Sequence, residues 1–141
     1  MSRVALPILA ASLVALTPVH AQESDISVAE YLDVWSKIDA VGIQKAMQEG
    51  GEFDIEKFPN AKRASNEVGA IAKAYREKFN ADKAAGRPTE SCLPEGEAEV
   101  NSDTLIAHLE SYDEAKRGKV TLKQAFADLM EKTYLCTIST R

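Results

Sequence analysis

Residues 121–136 read TLKQAFADLMEKTYLC, and this stretch indicates how the chain folds. Thr121, followed three residues later by Gln124, forms a capping box, which is a sequence signature of a helix N-terminus. The residues that recur at helical spacing on one face are Leu122, Phe126, Leu129, Thr133 and Cys136. The pattern predicts an amphipathic helix that buries this face and ends at a cysteine.

The first half of the chain shows the same helical period. Ser27 and Glu30 form a second capping box, so we expect the first helix to begin there and to stop at Gly50-Gly51. Its apolar stripe consists of Val28, Tyr31, Leu32, Trp35, Ile38, Gly42 and Ala46. Trp35 lies in the middle of that stripe, and we expect its indole to be buried. A loop over residues 52–60 follows, and the apolar side chains that should pack back onto the core are Phe53, Ile55 and Phe58.

Two more helices complete the prediction. The second runs over residues 61–85 and ends at Gly86-Arg87-Pro88, since proline removes a backbone donor and fixes φ. The third is capped by Asn101 or Ser102 and is broken by Gly118. No alternating run of β-branched residues indicates a strand beyond the N-terminal segment. The fold class that we predict is therefore all-α, a compact bundle of about four helices.

The N-terminus has the pattern of a secretory signal peptide. A basic residue precedes an apolar run over residues 4–16, and Val19 and Ala21 occupy the two positions that a signal peptidase reads. A membrane anchor is the alternative, but the run is shorter than the roughly 20 residues that span a bilayer. We therefore predict a signal peptide over residues 1–21 and a single helical domain over residues 22–141 of the exported protein.

The chain has two cysteines, Cys92 and Cys136, and both lie outside the predicted signal peptide. In an oxidising compartment an even number of cysteines is typical of disulfide bonding, so we predict a bond between these two. The bond would tie the loop before the third helix to the end of the fourth helix. Two buried free thiols are the alternative.

Composition limits the classes of partner. The formal net charge is −5, whereas nucleic acid and anionic lipid are bound by clustered Lys and Arg. We therefore expect no nucleic-acid partner. No segment after the signal peptide is apolar enough to cross a bilayer, so we expect no membrane span in the exported form. An acidic surface is compatible with a basic protein as the partner.

Sequence motifs of catalysis are absent. His108 is the one histidine after the signal peptide, and no nucleophile accompanies it in a recognisable cluster. The cysteines lack a CxxC spacing, and the chain has no Gly-rich phosphate loop or dinucleotide fingerprint. We therefore predict a protein that is not an enzyme and that holds no cofactor.

Residues 113–124 resemble a calcium loop between two helices, but the ligands are wrong. Ala115 and Arg117 occupy places that must supply oxygen ligands, and Gln124 replaces the bidentate Glu. We therefore predict a helix–turn–helix corner here and no metal site.

The residues that we predict for binding follow Cys92. The sequence Leu93-Pro94-Glu95-Gly96 predicts a tight turn, and two further carboxylates extend it. A disulfide at Cys92 would hold the base of this loop rigid, which reduces the entropy lost on docking to another protein. The candidate partner-binding residues are Leu93, Pro94, Glu95, Gly96, Glu97 and Glu99. An acidic loop that is only solvated is the alternative.

Three segments in the last third of the chain resemble a known family. They are Ser91-Cys92-Leu93-Pro94-Glu95-Gly96, the amphipathic helix with Leu105 and Leu109, and the closing helix with Ala125-Phe126-Ala127 and Tyr134-Leu135-Cys136. In these segments the chain is similar to the Rap/Tai family, periplasmic immunity proteins associated with type VI secretion. Many members also carry an earlier cysteine pair, which this sequence lacks. The resemblance implies a periplasmic protein that inhibits a peptidoglycan amidase effector by binding to it.

Other functions fit the same composition. Periplasmic acid-stress chaperones of the HdeA type are also small, exported, helical and singly disulfide-bonded. Such a chaperone exposes apolar surface when acid loosens it, and the 22 acidic side chains of this chain would drive that change as they protonate. A structural subunit of an envelope complex is a third class, and a homodimer is compatible with all of them.

Overall fold

The computed structural model describes residues 26–50 and 52–136, and the predicted signal peptide lies outside them. The described residues form six α-helices and one short 3-10 helix, with no named strand. The α-helices are α1 (Val28–Ser36), α2 (Ala40–Gln48), α3 (Pro59–Ala84), α4 (Ser102–Glu110), α5 (Glu114–Arg117) and α6 (Leu122–Thr133), and the 3-10 helix covers Ile55–Lys57. The predicted all-α fold is therefore confirmed.

The first predicted helix is divided into α1 and α2. The backbone N–H of Ile38 bonds to the carbonyl of Trp35 at 3.1 Å, which tightens the end of α1. Asp39 then caps α2, because its carboxylate accepts the N–H of Gly42 at 2.8 Å. A Cβ at position 42 would lie 2.2 Å from Asp39 Oδ2, so glycine is what lets the cap approach. The apolar stripe continues at helical spacing through this break, which is why the sequence pattern did not indicate it.

The third predicted helix is also divided, into α4 and α5. Arg117 accounts for the break, since its guanidinium donates to the carbonyls of Tyr112 at 2.9 Å and Glu110 at 2.6 Å. These bonds satisfy carbonyls that the end of α4 leaves without helical partners. The helix–turn–helix corner predicted for residues 113–124 is present, and α5 is its short first helix.

The two capping boxes lie beside each other and join the start of α1 to the start of α6. Both are present as predicted, with Ser27 capping α1 and Thr121 capping α6. The N–H of Val28 donates to the carbonyl of Val120 at 2.9 Å, and that of Leu122 donates to the carbonyl of Ile26 at 2.8 Å. These bonds use donors that helix N-termini leave unsatisfied, so each helix start completes the other.

The core is formed by apolar side chains from α1, α3, α4 and α6. Its buried members are Ile26, Val28, Tyr31, Val34, Ala64, Ile71, Leu93, Leu105, Leu109, Leu122, Ala125, Phe126, Leu129 and Met130. None of the helices in the described ranges is long and apolar enough to cross a membrane. Helix α6 packs against α1, α3 and α4, and α1 packs against α3, α4, α5 and α6.

Two predictions about aromatic side chains are wrong. Trp35 is only half-buried at the edge of the core, because Val34 occupies the interior position on this turn of α1. Phe53 is exposed rather than packed on the core, and it stacks on Phe58 with ring centroids 5.8 Å apart. Both side chains therefore add apolar area to the protein surface.

Candidate protein-binding surface

The segment before the predicted turn is fixed by a disulfide and by a backbone bond. Cys92 and Cys136 are joined, with their Cα atoms 4.9 Å apart, which confirms the predicted pairing. The N–H of Cys92 also donates to the carbonyl of Tyr134 at 2.8 Å. Helix α6 ends at Thr133, earlier than predicted, so the bond joins the turn to the irregular chain that follows α6.

The residues on either side of Cys92 are buried. The hydroxyl of Ser91 shares a hydrogen bond of 2.8 Å with the phenol of Tyr75 on α3, and burial raises the pKa of that phenol. Leu93 packs in the core. Of the six predicted contact residues, Leu93 therefore holds the turn from below, and its side chain is not accessible to a partner.

A single guanidinium holds the backbone of the turn from the side of α3. Arg76 donates to the carbonyl of Pro94 at 3.2 Å and to the carbonyl of Gly96 at 2.9 Å. Gly96 has φ of 139°, a conformation that side-chain-bearing residues rarely adopt. The conformation of the turn therefore depends on glycine at position 96 and on the guanidinium of Arg76 from α3.

The chain leaving the turn is also anchored. The hydroxyl of Tyr134 donates to the carbonyl of Glu99 at 3.2 Å. Ala98 and Val100 are partly buried and pack against the core. The alternation of buried and exposed residues over this segment turns Glu97 and Glu99 outward.

The accessible part of the site is therefore residues 94–99, which we name the acidic turn. Its carboxylates are exposed, and that of Glu95 lies 3.8 Å from the ammonium of Lys83. The carboxylates of Glu97 and Glu99 have no basic partner within ion-pair distance among the described residues. Negative charge is thus presented on a backbone that Arg76, Tyr134 and the disulfide at Cys92 restrain.

An open depression of about 460 Å³ lies beside the acidic turn. One wall is the turn itself, and the others come from α3 and α6. The side chains that line it are Ala72, Lys73, Tyr75, Arg76, Leu93, Glu97, Ala98, Glu99, Phe126 and Met130, together with Gly96. It therefore combines an apolar floor with charged side chains at the rim.

A second depression, of about 490 Å³, was not predicted from the sequence. All of its lining residues are uncharged: Tyr31, Trp35, Ile38, Ile43, Ala61, Ala64, Ser65, Val68, Gly69, Val100, Ser102 and Leu105. The signal in the sequence is the spacing of Ala61, Ser65 and Gly69, which places short side chains at every fourth residue of α3. That spacing leaves a helix face open, but it does not show which elements form the walls.

His108 lies on α4, partly buried against Tyr112. Among the described residues, His108 Nε2 is buried without a hydrogen-bond partner, and its ring packs edge-on against Tyr112 at 5.4 Å. Burial, followed by the nearby charge of Lys132, lowers the pKa of His108. In the part of the chain that the structure describes, no group of three or more His, Cys, Asp or Glu side chains could hold a metal ion. Asp113, from the calcium-like segment, instead pairs with Lys116 at 2.9 Å.

No protein-family model, curated protein or solved structure matches this chain. The resemblance to the Rap/Tai family therefore stays a prediction, made from the residues around Cys92 and Cys136 and from the helices between them.

Proposed function

We propose that this protein acts by binding another protein through the acidic turn and catalyses no reaction itself. The observation that carries the proposal is the contrast within residues 94–99. Their backbone is held by Arg76, by Tyr134 and by the disulfide, whereas the carboxylates of Glu97 and Glu99 are exposed and have no basic partner within ion-pair distance among the described residues. A surface that is already ordered loses little entropy on docking.

The partner that this surface suits is a basic protein. Exposed carboxylates on a fixed backbone steer a positively charged partner and raise its rate of association. We further propose that the protein is exported to the periplasm by residues 1–21 and that it inhibits a peptidoglycan amidase effector of type VI secretion. That part of the proposal is supported by the resemblance of the Cys-Leu-Pro-Glu-Gly segment to the Rap/Tai family.

Replacing Glu95, Glu97 and Glu99 together by glutamine should weaken binding of the partner roughly tenfold, mainly through slower association. Thermal stability should hardly change, because the side chains are exposed and glutamine keeps their shape. The partner would be isolated from the periplasm on the tagged protein, and its association and dissociation rates would be measured with both forms. Inhibition of a cell-wall amidase by the wild type would support the immunity role.

The matched control removes the same charge elsewhere on the surface. Glu52, Glu110 and Glu114 are exposed, and they lie on the loop before α3, on α4 and on α5. Their triple glutamine variant should bind the partner as the wild type does, apart from a small long-range effect of net charge. Equal affinity of the acidic-turn variant and the wild type would disprove the role of the turn.

One observation favours an acid-stress chaperone as a second candidate. His108 is enclosed with Nε2 unpaired, so its protonated form is poorly accommodated in the folded state. Asp82 is held by Lys78 and Arg87, whose hydrogen bonds lower its pKa, so its contribution to stability is lost when strong acid protonates it. Acid would therefore loosen the fold in two stages and expose apolar surface.

The pH dependence of stability tests this second candidate. In the unfolded chain His108 binds a proton near its ordinary pKa of 6.5, and in the folded chain only at lower pH. The unfolded state therefore binds more protons below that value, so stability should fall as pH drops below 7. In His108→Phe, which keeps the ring contact with Tyr112, the fall between pH 7 and pH 5 should be smaller in urea titrations. Equal slopes in both proteins would exclude His108 as the trigger.

A further inference from the structure

The two depressions follow one another along successive turns of α3. The uncharged depression covers residues from Ala61 to Gly69, and the one beside the acidic turn covers residues from Ala72 to Arg76. The segment from Gly96 to Ser102 supplies a wall of both. From Ala61 to Arg76 the floor is about 22 Å long, at 1.5 Å per helical residue. We name this feature the α3 groove.

We infer that the α3 groove receives an amphipathic helix of about four turns with a basic end, supplied by a partner protein. The inference extends the proposed function, since it rests on the acidic turn as one wall of the groove. It adds a second, apolar contact and states the chemistry of the occupant. An amphipathic helix laid in an apolar groove is one of the recurrent modes of peptide recognition.

The uncharged end of the groove has the shape and chemistry that the apolar face of such a helix needs. Trp35 of α1 and Ile43 of α2 form one wall, and Tyr31 stacks behind Trp35 with ring centroids 6.5 Å apart. At the floor, a Cβ built at Gly69 would meet nothing within 4 Å. An incoming helix therefore finds open space above Gly69 and an aromatic wall beside it.

Helix α2 extends this apolar wall outward. It buries none of its residues, and Met47, one turn after Ile43, has 65% of its surface exposed. Exposed apolar side chains next to an apolar groove enlarge the area that a partner can remove from water. The wall therefore continues beyond the groove.

The charged side chains at the other end of the groove decide which charge the partner should carry there. Lys73 is paired with Glu77 at 3.9 Å, and Arg76 donates to two carbonyls of the acidic turn. Glu97 and Glu99 line the same end, and their carboxylates have no base within ion-pair distance among the described residues. Arg76 keeps its positive charge, because carbonyls are neutral, so the two carboxylates outnumber the unpaired cations here by one. The end of the helix that lies here should therefore carry Lys or Arg.

A synthetic peptide tests the inference without knowledge of the natural partner. The probe is a 15-residue helix of Leu and Lys, and the matched peptide has Glu in place of each Lys. Trp35 is the only tryptophan of the chain and lies in the wall, so its emission reports binding directly. The Lys peptide should shift that emission and should bind at least tenfold more tightly than the Glu peptide in calorimetry.

A variant that fills the groove separates docking from general charge attraction. Gly69→Leu should weaken binding of the Lys peptide at least tenfold. The substitution should not lower the thermal stability of the protein, because leucine is a better helix former than glycine. Ala70→Leu is the matched control, since Ala70 is exposed on α3 and lines neither depression. The control should bind as the wild type does.

Three outcomes would overturn the inference. Equal binding of the Lys peptide to the wild type and to Gly69→Leu would mean charge attraction outside the groove. Equal binding of both peptides would contradict the charge argument, and a dimer abolished by Gly69→Leu would mean that a second copy occupies the groove. The two proposals can fail separately. If the Lys peptide binds as expected but the glutamine variant of the acidic turn keeps its affinity for the natural partner, the groove is supported and the proposed function is rejected.

Discussion

Replacing Cys92 and Cys136 together by serine should lower the free energy of unfolding by roughly 4 kcal/mol, the chain-entropy value for a loop of this length. The two cysteines are 44 residues apart in the sequence, so the bond strongly restricts the unfolded chain. Both are exposed, and serine therefore leaves no buried polar group unsatisfied. A small domain has only about 5–15 kcal/mol of stability in all, so this loss should be a large fraction of the total.

Urea denaturation of the oxidised wild type, the reduced wild type and the double variant measures this effect. The reduced protein and the double variant should share a lower midpoint. Amide hydrogen exchange should show the first increase at residues 95–97, because the turn then depends on Arg76 and Tyr134 alone among its side-chain restraints. A midpoint for the double variant equal to that of the oxidised protein would contradict the prediction.

The parts of the fold that sequence predicts well are those fixed by neighbouring residues. Both capping boxes are local, since the two side chains involved are three residues apart, and both are present at Ser27 and Thr121. The breaks at Asp39 and after Glu110 are not predicted, because the apolar period passes through them. The breaks are made by the cap at Asp39 and by the hydrogen bonds of Arg117. Each favours a break over a continuous helix by only about 1 kcal/mol.

The candidate site likewise has some features that the sequence predicts and others that it does not. The disulfide and the position of the turn follow from two cysteines and from Pro94 and Gly96. The restraints by Arg76 and Tyr134 do not, since their carbonyl acceptors lie 18 to 20 and 35 residues away in the sequence. The α3 groove is similarly hidden, because its walls come from helices that only the tertiary structure brings beside α3. The sequence therefore predicts where the turn lies but not the side chains from other elements that give it a fixed shape.

Leu122→Ala should destabilise the protein by about 3 kcal/mol, within the range of about 2–5 kcal/mol found for buried leucines. Leu122 has no exposed surface, and it belongs to α6, the helix that packs against α1, α3 and α4. Alanine removes apolar contacts with the core and leaves a cavity that helices held on several sides cannot close. The backbone N–H of residue 122 still reaches Ile26, so the loss should come from packing rather than from hydrogen bonding.

The control on the same helix is Lys132→Ala, because the Lys132 side chain is exposed and should change stability by no more than about 0.5 kcal/mol. Urea titrations of both variants with the disulfide intact give the comparison, and an unchanged denaturant slope would show that the unfolded state is the same. Destabilisation of Leu122→Ala by less than about 1 kcal/mol would mean that the core closes around the cavity. Helix α6 would then be a loosely held element, and because Cys136 follows it, the acidic turn would lose the rigid support on which its proposed role in binding depends.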